Sequence, residues 1–118
     1  MDGQTLLVAN VHGINRAPRA AFKAQIDALV ERLRTHVGPM LFAGDFNTQS
    51  KAKISYLEEA AAMLQLSRVQ FSPDHRTVSK LSHRPLDDVF VRGAAIEASE
   101  CWLGGGSDHV AMAFDLVF

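Results

Sequence analysis

The chain has 118 residues, about one ordinary domain, and its 47% hydrophobic and 21% charged content is that of a folded protein rather than a disordered, collagenous or repeat chain. Twelve Lys and Arg against thirteen Asp and Glu leave a formal net charge of -1, which excludes a broadly basic nucleic-acid footprint and leaves room only for a local basic patch. The single cysteine, Cys101, excludes an internal disulfide and a multi-cysteine metal site; beside Trp102 it reads as a small buried hydrophobe rather than a reactive thiol.

In chain order, Gln4 to Val11 (QTLLVANV) reads as a strand that is apolar on both alternating faces, and so as one covered on both sides. The next segment places Phe22, Ile26, Leu29, Leu33 and Val37 at helical spacing, with Pro18 near its start and Gly38 past its end, which predicts an amphipathic helix with one buried stripe. Met40 to Gly44 (MLFAG) is a second buried strand. The polar loop DFNTQS follows and ends at Ser50, a predicted N-cap for a second helix carrying Ile54, Leu57, Ala61 and Leu64 on one side. From Ser67 to Pro85, SPDHRT reads as a turn and the rest as an irregular loop or a short strand, and this segment is expected to approach the site. Two further strands, DDVFVRG and AAIEASECW, are joined by a turn at Arg92 to Ala94, and HVAMAFDLVF closes the chain as a last strand. The alternation predicts a mixed α/β layered fold, a mixed β-sheet with helices on one face.

Four polar clusters sit where predicted strands begin or end: NVHG after the first, GDFN after the second, PLDD before the third and GSDH before the last. Strand ends on one edge of a sheet converge in space, so these residues are expected to form one site. Each cluster also has an ordinary reading. Asp45 and Asn47 suit a turn or a cap, Ser107 and Asp108 after three glycines suit a turn, and His12 and His109 suit the edge of a sheet.

Taken together, the four clusters resemble the endonuclease/exonuclease/phosphatase superfamily, the deoxyribonuclease-I-like metal-dependent phosphoesterases. Asn10 and His12 look like the family's Asn-x-His, Gly44 to Asn47 like its Gly-Asp-Phe-Asn, Leu86 and Asp87 like its Ile-Asp, and Ser107 to His109 like its Ser-Asp-His. Thr77 looks like its threonine upstream of the Ile-Asp strand, whereas Asp88 stands where the family has an aromatic residue or His, and Ala111 where it has a proline. His75, Arg76 and His83, like Asp88, read as solvated loop residues.

The resemblance implies a chemistry. Asp87 and His109 would form an acid-base pair, Asp45 would help activate a water, Asn47 would donate to a phosphate oxygen, and His12 would do the same or protonate the leaving group. Asp108, with Asp45 and Asn47, would face a divalent cation, for which these hard oxygens suit Mg2+ or Mn2+ better than zinc.

The resemblance covers the carboxyl-terminal half of such a domain. Relatives are about twice as long, and the amino-terminal asparagine and glutamate that hold their metal have no counterpart here; Asp2-Gly3 reads as a hairpin turn whose incoming strand would precede it. Glu58 and Glu59 read as exposed helical charges and not as substitutes. The whole family fold is a four-layer α/β/β/α sandwich, so half of it would leave one sheet face bare, from Leu6 to Val11, Met40 to Ala43, Val89 to Val91 and Val110 to Phe118. Leaving such a face wet would forfeit on the order of 10 kcal/mol. A homodimer through that face, or a separate amino-terminal half-domain, is the expected cover.

Two functions follow: a metal-dependent phosphoesterase acting on a phosphate-containing substrate, or a non-catalytic half-domain serving as a homodimeric binding module. Nucleic acid is one possible substrate that charge does not favour. No run approaches the roughly 18 apolar residues of a membrane span and no signal-peptide layout opens the chain, so a cytoplasmic protein without a membrane partner is expected.

Overall fold

A computed structural model describes residues 5–13, 18–48, 50–71, 74, 76–78, 85–102 and 108–118. The expectations for Asp2, Gly3, His75, His83, the glycines 104–106 and Ser107 fall outside the described residues.

The elements alternate as the apolar pattern dictates: β1 (Leu7–His12), α1 (Arg19–Leu33), β2 (Met40–Asp45), α2 (Lys51–Met63), β3 (Ser67–Arg68), β4 (Asp87–Arg92), β5 (Ala95–Trp102) and β6 (Ala111–Val117). Pro18 sits at the N-cap of α1, where its missing N–H costs nothing. Ser50 caps α2 by accepting the Lys53 N–H at 3.2 Å, as its position in the sequence predicts. The α1 helix stops a turn before the predicted Val37, which is 91% exposed, and Val30 joins the buried stripe instead. The chain turns away after Leu33 and passes Gly38 at φ +115°, a conformation glycine adopts without steric cost.

Strands β1, β2, β4 and β3 form one sheet in that order, with β1 parallel to β2 and the other pairs antiparallel. Phe22, Ile26, Val30 and Leu33 of α1 and Leu57, Ala60 and Ala61 of α2 cover one face, against Phe42 and Phe90 of the sheet and Phe46 just past β2. The Phe42 and Phe46 rings meet edge to face with centroids 5.1 Å apart. Arg92, at the end of β4, donates to the carbonyls of His36, Gly38 and Leu64 at 2.6, 2.9 and 2.7 Å, fastening the chain after both helices to the sheet.

The other face overturns two expectations. The last two strands do not extend the main sheet; β5 and β6 pair with each other as a separate antiparallel sheet. The turn at Arg92 to Ala94 is present as expected, with Gly93 at φ +72°, and there the chain leaves the sheet and folds back over it, so the turn changes sheets. Ile96, Cys101, Met112, Phe114 and Leu116 then pack on Leu41, Ala43, Val89 and Val91, together with Val69 and Phe71. The face expected to be bare is therefore largely covered from within the chain, leaving Val89 only 1% and Val91 6% exposed. The cover stops short of β1. That strand is buried on the helix side through Leu7, Ala9 and Val11, but Val8 on the opposite side is 58% exposed, so it is not covered on both sides as its composition suggested.

Candidate functional site

The site is built by register. His12 lies opposite Asp45 across β1 and β2, and Asp45 lies opposite Asp87 across β2 and β4. Side chains alternate along each strand, so Asp45 shares a face with Leu41 and Ala43, Asp87 with Val89 and Val91, and His12 with Val8. Three chemically active side chains thus form one row on the face that looks toward the hairpin, and His109 enters from the start of β6 on that hairpin.

Two glycines allow the strand ends to come this close. Gly44 has φ +150°, and a Cβ there would collide with the Val11 carbonyl oxygen and lie 2.8 Å from the Val11 nitrogen. Gly13 donates its N–H to the Asp45 carbonyl at 2.6 Å, and a Cβ on it would strike the Phe46 carbonyl. After β2 the chain reverses through Asn47, at φ +51°, a left-handed conformation that Asn tolerates. The Asn47 N–H donates to Asp45 Oδ1 at 3.0 Å and its side-chain amide donates to the Gly13 carbonyl at 2.7 Å. The turn reading of Asp45 and Asn47 is thus correct, and Asp45 also faces the site with its other oxygen. Phe46 and Thr48 tie the same loop to Leu86 and Pro85 at 2.9 and 3.0 Å.

His109 Nδ1 lies 2.7 Å from Asp87 Oδ2, and its Nε2 lies 3.5 Å from Asp45 Oδ2. A carboxylate oxygen accepts, so Nδ1 carries the hydrogen and Nε2 is directed toward Asp45. The hydrogen bond that His109 donates to Asp87 holds the imidazole above its ordinary pKa, with the neighbouring Asp45 and Asp108 charges adding to it. Burial pushes Asp87 up as well, more strongly than the His109 hydrogen bond draws it down. The pair therefore holds its protons in the folded protein better than either group does in water.

A pH dependence of stability follows. His109 has a folded pKa above its unfolded value, so its contribution is complete below the ordinary histidine value of about 6.5 and is lost as pH rises through the raised value. The folded chain binds the extra proton in that window, and stability falls there with increasing pH. Urea unfolding of EDTA-treated protein should give a lower midpoint above the window than below it, and His109→Ala should abolish that fall; a midpoint that rises with pH across the window would contradict it.

The other expected residues are placed as follows. His12 is at the rim, its side chain 82% exposed and Nε2 3.9 Å from Asp45 Oδ2. Asn47 is 5% exposed beneath Asp45, with its amide on Gly13. Asp108 is exposed next to His109. Among the described residues the carboxylates and imidazole within 4.8 Å of one another are Asp45, Asp87 and His109, and Asp108 is outside that group. The donor chemistry fits a hard divalent cation through its carboxylates, since magnesium is held by one or two of them with water and phosphate oxygens completing the shell. The imidazole is already engaged by Asp87 and is the wrong donor for such an ion.

Of Asp88 and Arg76, both read from sequence as solvated, Asp88 is buried and the Arg76 side chain is largely covered. Asp88 is 5% exposed and meets Arg68 at 2.9 Å and Arg76 at 3.0 Å. Arg68 also reaches Glu58 of α2 at 3.1 Å. Nothing in the local sequence marks these residues, because their partners lie in three separate segments.

No protein-family model matches the chain. A structure of an endonuclease/exonuclease/phosphatase family protein from Leptotrichia buccalis C-1013-b superposes with a TM-score of 0.70 at 18% identity, covering 100% of this chain and 51% of that one. The fold is that of one half of such a protein. In sequence, the chain is 40% identical over 109 residues to a UPF0294 protein of Vibrio cholerae, spanning 92% of this chain and 38% of the relative. A UPF0294 protein of Yersinia pestis is 35% identical, with 41% of its length covered. The chain thus spans about two-fifths of the curated relatives it matches. No helix among the described residues is long and apolar enough to cross a membrane.

Proposed function

We propose that this site belongs to a metal-dependent phosphoesterase in which Asp87 and His109 move the proton. The observation that carries this reading is the imidazole held between two carboxylates, 2.7 Å from Asp87 and 3.5 Å from Asp45, at the converging ends of three strands. A water between His109 Nε2 and Asp45 Oδ2 would give its proton to Nε2 as its oxygen attacks phosphorus. Asp87 stabilises the imidazolium so formed, and Asp45 orients the water. The P–O bond to the leaving group breaks, and His12 at the rim returns a proton to the departing oxygen. Asn47 holds the loop that aims Asp45. Asp45 would hold Mg2+ or Mn2+, with water and phosphate oxygens completing the shell, and the cation would offset the negative charge of the phosphoryl group.

The substrate is a phosphate ester. The net charge of -1 gives nucleic acid no preference over a small phosphate. The side of β1 that the hairpin leaves open, where Val8 is 58% exposed, is the surface a second copy or an amino-terminal half-domain would cover.

The test is hydrolysis of bis(p-nitrophenyl) phosphate by the purified chain, with magnesium or manganese and with EDTA, on fractions whose solution mass is measured. Metal-dependent turnover supports the reading, and a dimer carrying it supports the self-associated form. A folded protein without turnover under any metal favours the non-catalytic module.

A further inference from the structure

The acid-base pair spans two sheets that share no backbone ladder among the described residues: Asp87 opens β4 of the main sheet, and His109 precedes β6 of the hairpin. Something other than sheet pairing must fix the 2.7 Å between them. The dipeptide Arg76-Thr77 touches both sides. Arg76 Nη1 donates to the Asp87 main-chain oxygen at 3.1 Å, and Thr77 accepts the Leu86 N–H on its carbonyl at 3.0 Å. On the hairpin side, the Thr77 hydroxyl accepts the Val110 N–H at 2.6 Å, one residue beyond His109.

Arg76 is itself held in place. Its side chain is only 8% exposed and lies over the Phe71 ring at 5.6 Å. Nε and Nη2 form a fork on Asp74 at 2.9 and 2.8 Å, while Nη1 meets Asp88 Oδ1 at 3.0 Å. Asp88 in turn is gripped by Arg68 through Nε at 3.1 and 3.0 Å. A planar guanidinium with five fixed donors suits this task, because it reaches two carboxylates and one carbonyl in fixed directions without moving.

We infer that Arg76, anchored by Asp74 and Asp88, is a positioning residue that sets the separation of Asp87 and His109 across the two sheets. It lies behind the Asp87 peptide and acts through it. The inference rests on the reading of Asp87 and His109 as the working pair, yet the geometry it concerns is observable without turnover.

The readout is the low-field proton resonance of His109 Nδ1–H, the signature of a short hydrogen bond to a carboxylate. It is recorded by proton NMR on the whole chain and assigned by its absence in His109→Ala. In Arg76→Met the resonance should broaden or vanish while far-UV circular dichroism stays that of the parent. If the parent turns over a phosphodiester, kcat should fall about 100-fold with KM little changed, the size expected when reacting groups shift by about an ångström. Arg76→Lys, which keeps the charge but not the fork, should recover part of the signal.

A network that only stabilises the fold would lower the unfolding midpoint and leave the resonance of the folded variant sharp; that result overturns the inference. Should Arg76→Met fail to fold, Asp74→Ala removes the exposed anchor instead, and an unchanged resonance there overturns it equally. A parent that shows the resonance but hydrolyses nothing defeats the phosphoesterase reading alone, and the variants still decide the positioning role.

Discussion

Replacing His109 with alanine is expected to lower metal-dependent phosphodiester hydrolysis by about a thousandfold in a protein that remains folded. Among the described residues the imidazole is the one group that touches both Asp87 and Asp45, at 2.7 and 3.5 Å, so no described neighbour can take over its proton. Its loss also strands Asp87, whose side chain is 6% exposed and whose pKa burial already raises, and the carboxyl should then stay protonated to higher pH. His12→Ala is the useful contrast. That side chain is 82% exposed and 3.9 Å from Asp45, so a loss of about tenfold is expected. Initial rates on bis(p-nitrophenyl) phosphate at saturating magnesium check both. A His109→Ala protein that keeps more than about a tenth of the parent rate would move the proton transfer to another group.

Gly44→Ala should be the most destabilising single-methyl change at the site, costing at least about 3 kcal/mol and taking the candidate site with it. Two effects add. The backbone at φ +150° is one that alanine adopts only with strain, and the new methyl group would press on the Val11 carbonyl oxygen and on the Val11 nitrogen at 2.8 Å. Neither contact can relax by a side-chain rotation, because both atoms are main chain in the adjacent parallel strand. Gly93→Ala gives the scale. At φ +72° it carries conformational strain, but its methyl would meet Pro39 Cα at 3.0 Å at a surface turn, and about 1 kcal/mol is expected. Urea unfolding of the two variants beside the parent measures the difference. Equal midpoints would mean that β1 and β2 approach less closely at Val11 than the register implies.

The helices and strands were legible because burial imposes a period on the sequence. Phe22, Ile26 and Leu33 could face inward together only on a helix, and Ser50 had the side chain to start the next one. Val37 continued the helical spacing but lies outside, since spacing carries no information about where Arg34 to Gly38 lead the chain away. The site was legible for a different reason: Asp, Asn and His gather where strands leave the core, so their clustering at strand ends survives in one dimension.

The assignment of β5 and β6 was not legible. An apolar strand buries its face equally well beside another strand at about 5 Å or across a sandwich at about 10 Å, and Ile96, Met112 and Phe114 look the same in either place. The charge network was hidden likewise. Arg68, Arg76 and Asp88 are ordinary surface residues by type, and the burial of Asp88 becomes tolerable only when the partners arrive together from β3, the following segment and β4.

The sequence by itself determined the order of the main elements, most of the inward faces of the helices and the four polar clusters, because each depends on residues a few positions apart. Only the tertiary structure decided that the hairpin folds over the sheet, that His12, Asp45 and Asp87 stand in one row, and that Arg76 lies behind that row. Those are contacts between segments separated by more than a few turns or strand residues, and such contacts are set by how whole faces pack, a quantity that no local period contains.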